Sequence, residues 1–409
     1  MAVQCAPCTY SLSSRPNVTQ ILLFLEEERT GLPSTLSKPK LKNYFNMNTT
    51  KISIGLSGGV DSSVTAHLLQ QSYTIDAFFM KNWESDAENC TSEEDFRSAK
   101  EVAKHLGIEL HPVNFSSAYW DNVFQVCLDQ LAIGQTPNPD ILCNEKIKFS
   151  VFLDHALEQG ASKIATGHYA RVVECDEGFT LRQAKDRFKD QTYFLYRLNQ
   201  RQLTHCLFPL GNYLKSEVRT IAKKANIPSA SRKDSTGICF IGEQKYTPFI
   251  RSFLLTHPGT IVTESGLTIG QHQGCALFTI GQRKGLAIGG VKGAEAKPWY
   301  VIGKDQTSNT VIVSQNEQHP ALWSTQLDVC QAHWISQVPK DKQAVTVKIR
   351  HGQAQTPAIL HHIQDDLFSI QLERAVWAPC PGQSVVVYQD DQCLGGGLLK
   401  HYQGALTRA

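Results

Sequence analysis

A short apolar run, Ile52-Ser53-Ile54-Gly55-Leu56, leads directly into Ser57-Gly58-Gly59-Val60-Asp61-Ser62-Ser63, and this junction constrains the fold more than any other stretch. Gly58 and Gly59 lack Cβ, so the backbone turns sharply and brings its N–H groups close to a ligand. Val60, Val64 and Leu68 then recur at i, i+4, i+8, the buried stripe of a helix. A helix N-terminus behind a glycine turn favours an anion. The spacing therefore predicts a phosphate cradle between a strand and a helix. No Gly-Lys-Ser/Thr follows, which excludes a Walker-type loop.

From Lys51 onward, strand-like and helix-like runs alternate. The expected strands are 51–56, 75–80, 111–115 and 163–166, and the expected helices 61–71, 92–106, 119–133 and 145–159. Such alternation implies a parallel α/β sheet with ligands at the carboxyl ends of its strands. The Ser57 turn, Met80 and Gly167-His168 all fall at such ends. Beyond Pro258 the texture becomes short β-like runs (260–262, 276–279, 299–301, 310–313, 344–349, 367–371, 384–388), which predicts an all-β remainder. The expected division is an N-terminal extension over 1–50, poorly ordered, then a catalytic domain over 51–255, a central β-rich domain over 256–320 and a C-terminal β-barrel over 321–405.

At 409 residues the chain has room for two or three cores, and no apolar stretch is long enough to span a membrane. A net charge of only +2 means that nucleic acid must be met by local patches. One candidate patch carries Arg182, Lys185, Arg187, Lys189, Arg197 and Arg201 against Asp186 and Asp190. Twelve cysteines without framework-like spacing predict free thiols in a reducing compartment, hence a cytoplasmic location. Cys143 follows two prolines in Thr136-Pro-Asn-Pro-Asp-Ile-Leu-Cys-Asn144, with Asp140 three residues before it. A helix starting near Asn144 would lower the pKa of that thiol. Cys239 is delivered by a glycine turn in Asp234-Ser-Thr-Gly-Ile-Cys-Phe240.

The Ser57–Ser63 loop resembles the PP-loop, SGGxDS, of enzymes that split ATP into AMP and pyrophosphate. Paired with two cysteines in such settings, it suggests sulfur transfer. The resemblance then extends along the chain from about Lys51 to Leu399. It includes Gly55–Ser63, Thr136–Asn144 with Ile147-Lys148-Phe149, Thr166–Ala170, Lys189-Asp-Gln191 and Asp234–Phe240. Phe278–Leu286, Arg350-His351 and Pro381-Gly-Gln383 continue it. These segments resemble the tRNA-specific 2-thiouridylase family (MnmA/TrmU).

That resemblance implies the fold class α/β plus all-β: an N-terminal PP-loop adenine nucleotide α-hydrolase-like parallel sheet, a small β central domain and a C-terminal β-barrel. It implies ATP as substrate, with Mg²⁺, at Gly55, Leu56, Ser57, Gly58, Gly59, Val60, Asp61, Ser62, Met80 and Gly167. Cys143 matches the nucleophile and Cys239 the persulfide carrier, and the two would form a transient disulfide. Asp140 is a candidate acid/base. Asn138, Pro139 and Asp140 match the segment meeting the target base. His168, Lys189, Asp190, Gln191, Arg350, His351 and Gln383 match tRNA contacts. The implied activity is that of a sulfurtransferase: adenylation of the C2 oxygen of the wobble uridine in Lys, Glu and Gln tRNAs, then sulfur transfer. Its implied partners are a tRNA anticodon stem-loop, a persulfide sulfur-relay donor and a cellular thiol reductant. No membrane partner is expected, and a monomer is the default. Lys146 stands where some tRNA thiolases place an additional cluster-binding cysteine, so no iron–sulfur cluster and no resident metal are expected. The rival readings are another PP-loop tRNA-modifying ligase, which needs no paired thiols, and a non-catalytic tRNA-binding protein.

Overall fold

The computed structural model describes residues 50–83, 91–233, 246–254, 256–291, 293–364 and 366–406. The N-terminal extension and the whole Asp234–Phe240 segment, Cys239 included, lie outside the described residues.

The alternating half forms a parallel sheet. Its strands are β1 (Lys51–Gly55), β2 (Thr74–Lys81), β3 (Leu110–Asn114), β4 (Lys163–Ala165) and β7 (Cys206–Leu207), in the order β3-β2-β1-β4-β7. β1 and β2 are buried almost throughout, as strands covered on both faces must be. The first crossover is α1 (Val60–Leu69) and the second α2 (Thr91–Leu106). Two longer helical runs, α3 over 116–132 and α4 over 139–158, each carry a π-helical stretch, Trp120–Phe124 and Asn144–Val151. The chain order reverses between β1 and β4, so the carboxyl ends of these two strands flank the crevice where such sheets bind ligands.

α4 begins earlier than its periodicity suggests. Asn138 is its N-cap, accepting the N–H groups of Asp140 and Ile141 at 3.1 and 3.3 Å, and Pro139 occupies the first helical position. Proline is at home there because its missing N–H has no intrahelical partner anyway. Cys143 is thus the fifth residue of a helix, not the residue before one as its periodicity suggests.

The all-β half holds two sheets. A four-stranded one has the order β10 (Tyr300–Asp305), β11 (Thr310–Ser314), β8 (Gly259–Thr263), β9 (Thr268–His272). The strand expected over 276–279 is instead a 3₁₀ turn at Cys275–Leu277. The other sheet closes into a six-stranded barrel. It runs β12 (Trp323–Trp334), β15 (Leu367–Trp377), β14 (Thr356–Gln364), β13 (Gln343–Lys348), β16 (Ser384–Gln389), β17 (Gln392–Tyr402), and β17 pairs back onto β12.

A hairpin that local pattern does not reveal, β5 (Ala170–Cys175) and β6 (Gly178–Gln183), leaves the first half and adds to the barrel at β17. Arg171 and Arg182 clamp this joint on Asp391. One apolar core runs through both halves, joining Phe78, Phe149 and Tyr196 to Val386, Tyr388 and Cys393. No helix among the described residues is long and apolar enough to cross a membrane.

Candidate active site

The cradle forms where β1 ends. Leu56 keeps the strand's register by donating to Phe78 O at 2.9 Å, after which Gly58 turns the chain with φ +78°. Two serines lock the turn from inside. Ser62 Oγ donates to Gly59 O (3.1 Å) and receives Ser57 N–H (3.2 Å), and Ser63 Oγ donates to Gly59 O (2.7 Å). α2 supports it from behind, with Ser98 Oγ donating to Gly58 O at 2.8 Å. Arg232 bridges Asp95 and the same carbonyl. Gly167, just beyond β4, lies directly against the first turn of α1: a Cβ there would sit 2.8 Å from Ser62 N. Met80 packs on Gly55 within the buried core. The structure thus brings Gly55–Ser62, Met80 and Gly167 to one rim.

Asp61 points to a residue that spacing does not single out. Lys215 Nζ lies 2.8 Å from both of its carboxylate oxygens, and Tyr169 Oη donates to Oδ1 at 2.9 Å. Lys215 opens a helix, α5 (Lys215–Lys224), more than 150 residues downstream, so no local signal exists. The pair leaves the cradle's own carboxylate neutralised before any phosphate arrives.

α4 leads into β4, so its first turn lies at the same carboxyl rim. Cys143 is fully buried in a cluster with Trp83, Tyr119, Phe124 and Ile147. Asp140 is partly exposed one turn earlier. Burial, and after it the Asp140 carboxylate, push the neighbouring Cys127 thiol up to about 12, so Cys127 stays protonated and inert. Lys146 forms an ion pair with Glu145 at 3.0 Å.

The loop that introduces Asn138 is held by both β modules. Lys304 Nζ donates to Gly134 O (2.9 Å) and Phe278 O (2.8 Å) from the four-stranded sheet, and Thr136 N donates to Pro381 O (2.8 Å) on the barrel. Gly382 has φ +86°, and a Cβ on it would lie 2.7 Å from Gln135 Cβ and 2.8 Å from Thr136 N. Gly382→Val is therefore expected to cost roughly 2–3 kcal/mol, combining left-handed strain with overpacking. It should also displace the Asn138–Cys143 turn. Denaturant unfolding checks the cost, and an unchanged midpoint would refute the contact.

Several of the implied tRNA residues make structural contacts. Asp190 is 1% exposed, and its carboxylate accepts from Ala184 N (3.0 Å), Gln183 Nε2 (3.2 Å) and Thr192 Oγ1 (2.7 Å). It builds the loop and has almost no surface left for RNA. Gln191 holds Tyr169 N at 2.9 Å. His351 Nε2 lies 2.8 Å from Asp190 O and its ring packs on Phe194. Arg350 reaches Ala378 O (2.8 Å) and Gln383 (3.4 Å). His351 thus joins the barrel to the first half, whereas Arg350 is held within the barrel and Gln191 within the first half. Four of the six basic side chains of the patch are tied up in ion pairs: Arg182 with Asp391, Lys185 with Glu217, Arg197 with Glu145 and Arg201 with Asp154, Asp391 also holding Arg171 and Glu145 also holding Lys146.

His168 packs between Phe149 and Phe208 with Thr166 Oγ1 2.7 Å from Nδ1. Burial, and then the Lys148 ammonium, hold its imidazole well below the usual histidine range, so it is neutral. Below about pH 6.5 the unfolded chain binds a proton that folded His168 refuses. Its contribution to stability is full above that pH and is lost as the pH falls toward the folded value. His168→Gln should flatten the acid limb of a stability–pH curve by up to about 1.4 kcal/mol per pH unit. Parallel curves for variant and wild type would contradict this.

Family models match along almost the whole described chain: a tRNA methyl transferase HUP domain over 50–243, a tRNA methyl transferase PRC-barrel domain over 247–315 and an aminomethyltransferase β-barrel domain over 324–399. The tRNA-specific 2-thiouridylase MnmA of Proteus mirabilis (strain HI4320) is 48% identical over 355 residues, covering 86% of this chain and 97% of that protein. This chain belongs to the MnmA family. The MnmA proteins of Serratia proteamaculans (strain 568), at 47% identity over 86% of this chain and 97% of theirs, and of Nitrosomonas europaea (strain ATCC 19718), at 48% over 86% and 99%, match as fully. The HUP fold and the closed barrel are thus the architecture that the family resemblance implies.

Proposed function

We infer that this chain is a tRNA 2-thiouridylase, a sulfurtransferase that uses ATP to replace the C2 oxygen of a tRNA uridine by sulfur. The observation that carries the reading is an intact phosphate cradle and the Asn138–Cys143 turn at one sheet rim, in a chain nearly half identical to MnmA over almost the full length of those proteins. The domain descriptions mention methyl transfer, but that chemistry needs neither an ATP-splitting loop nor a cysteine pair.

The residues suit two successive steps. The uridine C2 oxygen attacks the α-phosphorus of ATP. The new O–P bond replaces the bond to the β-phosphate, and pyrophosphate leaves against the N-terminus of α1, with Asp61 already neutralised by Lys215. The terminal sulfur of a persulfide on Cys239 then attacks C2, and the C2–O bond breaks to release AMP. The Cys143 thiolate attacks Sγ of Cys239, so the S–S bond breaks, sulfur stays on C2 and a Cys143–Cys239 disulfide forms. Release of hydrosulfide by Cys143 before the attack on C2 ends in the same disulfide. A cellular thiol returns the pair by exchange, and a separate donor protein reloads the persulfide. Asp140, at the helix N-terminus beside the base, is the acid/base in this scheme.

Among the described residues no cluster of three or more metal-binding side chains exists, and Asp61 and Asp95, at the cradle, both face cations. This suits a Mg²⁺ ion held chiefly by the phosphates of ATP, where it would offset their charge. The scheme uses no iron–sulfur cluster and runs in the cytoplasm on Lys, Glu and Gln tRNAs. The base must leave its stack to reach the buried Cys143. Pyrophosphate release measured with and without tRNA tests the first step. Release should depend on tRNA, and tRNA-independent release at the same rate would refute the proposed acceptor. A stoichiometric iron–sulfur absorption in anaerobically purified protein would refute the cluster-free scheme.

A further inference from the structure

We propose that Phe188 is a stacking platform for an unpaired nucleobase of the bound tRNA; the proposal rests on the tRNA reading above. Phe188 is 97% exposed, far beyond any other large apolar side chain described; the next, Ile133, is 67% exposed. A lone exposed apolar residue ordinarily needs no explanation. Here it stands on an unusually rigid mount. Asp186 O accepts Lys189 N at 3.2 Å, closing a turn, while Asp186 Oδ1 accepts the N–H groups of both Phe188 and Lys189 at 3.2 Å. Asp186 Oδ2 accepts Lys215 N at 2.9 Å. Two residues on, buried Asp190 anchors the other side. The ring is therefore displayed by a turn that is already ordered, and a base docking on it would pay little for ordering the protein.

The charge around the ring fits the same partner. The ion pairs of the basic patch leave out Arg187, whose guanidinium donates to the neutral Gln183 Oε1 at 2.7 Å. An exposed aromatic ring with a basic residue next to it in the chain suits single-stranded nucleic acid, through base stacking and phosphate attraction together. The turn also lies close to the chemistry: Lys215, whose backbone holds Asp186, carries the ammonium that holds Asp61.

The test is filter binding of a substrate tRNA transcript to the full chain across a salt series. Phe188→Ala should weaken binding roughly tenfold. Phe188→Leu should fail to restore it, and Phe188→Trp should restore it with an indole emission that changes on adding tRNA. The slope of log Kd against log salt should stay that of the wild type in all three, because no charge is lost, whereas Arg187→Ala should reduce it. Wild-type affinity in Phe188→Ala, or full rescue by leucine, would overturn the proposal and leave the ring to a protein partner. If the wild-type chain itself bound no tRNA, the underlying tRNA reading would fall, and the stacking proposal with it.

Discussion

Cys143→Ser is expected to abolish 2-thiouridine formation while tRNA-dependent pyrophosphate release continues for at least one turnover. The serine hydroxyl is not ionised near neutral pH and cannot open the persulfide, whereas adenylation needs only the cradle and the base. The site is fully buried among Trp83, Tyr119 and Ile147, so burying a hydroxyl costs about 1–3 kcal/mol. That is a melting shift but not a loss of fold, and a thermal scan separates the two. Cys239→Ser should give the same split between the half-reactions. Full thiolation by either variant would end the two-thiol mechanism.

The second large effect should come from Lys215→Met. Without the ammonium, Asp61 retains only its Tyr169 hydrogen bond and presents a bare carboxylate to the incoming phosphates. Two unit charges about 4 Å apart at an effective dielectric near 20 interact by about 4 kcal/mol, and screening leaves part of that. Pyrophosphate release should fall on the order of a hundredfold. Adding Asp61→Asn to Lys215→Met should recover part of the loss, since it removes the charge that Lys215 offsets. Release within threefold of wild type in Lys215→Met would show that the pair plays no part in holding the nucleotide.

Much of this is legible in the sequence itself. The four strands from Lys51 to Ala165 and the turn at Ser57 follow from apolar runs and glycine placement, because those signals are local. The start of α4 was also available. Asn138-Pro139 is an N-cap followed by a first-turn proline, but two prolines two residues apart read more readily as a loop. What stayed hidden depends on distant partners. The β5–β6 hairpin carries no mark of its pairing with β17, some two hundred residues away. The basic patch looks strong in sequence only because Asp391, Glu217, Glu145 and Asp154 arrive from elsewhere. Asp190 matches a tRNA-contacting position, yet three hydrogen bonds turn it inward. Lys215 has no motif around it and is visible only through the geometry of Asp61.

The central claim is that cradle and cysteines serve one reaction on one uridine. Its most direct test is mass analysis of nucleosides from substrate tRNA incubated with this chain, ATP and a persulfide donor. The account predicts 2-thiouridine that requires ATP and disappears with either cysteine variant. Unmodified uridine in the complete mixture, with AMP and pyrophosphate still released, would contradict it and favour a ligase that shares only the loop.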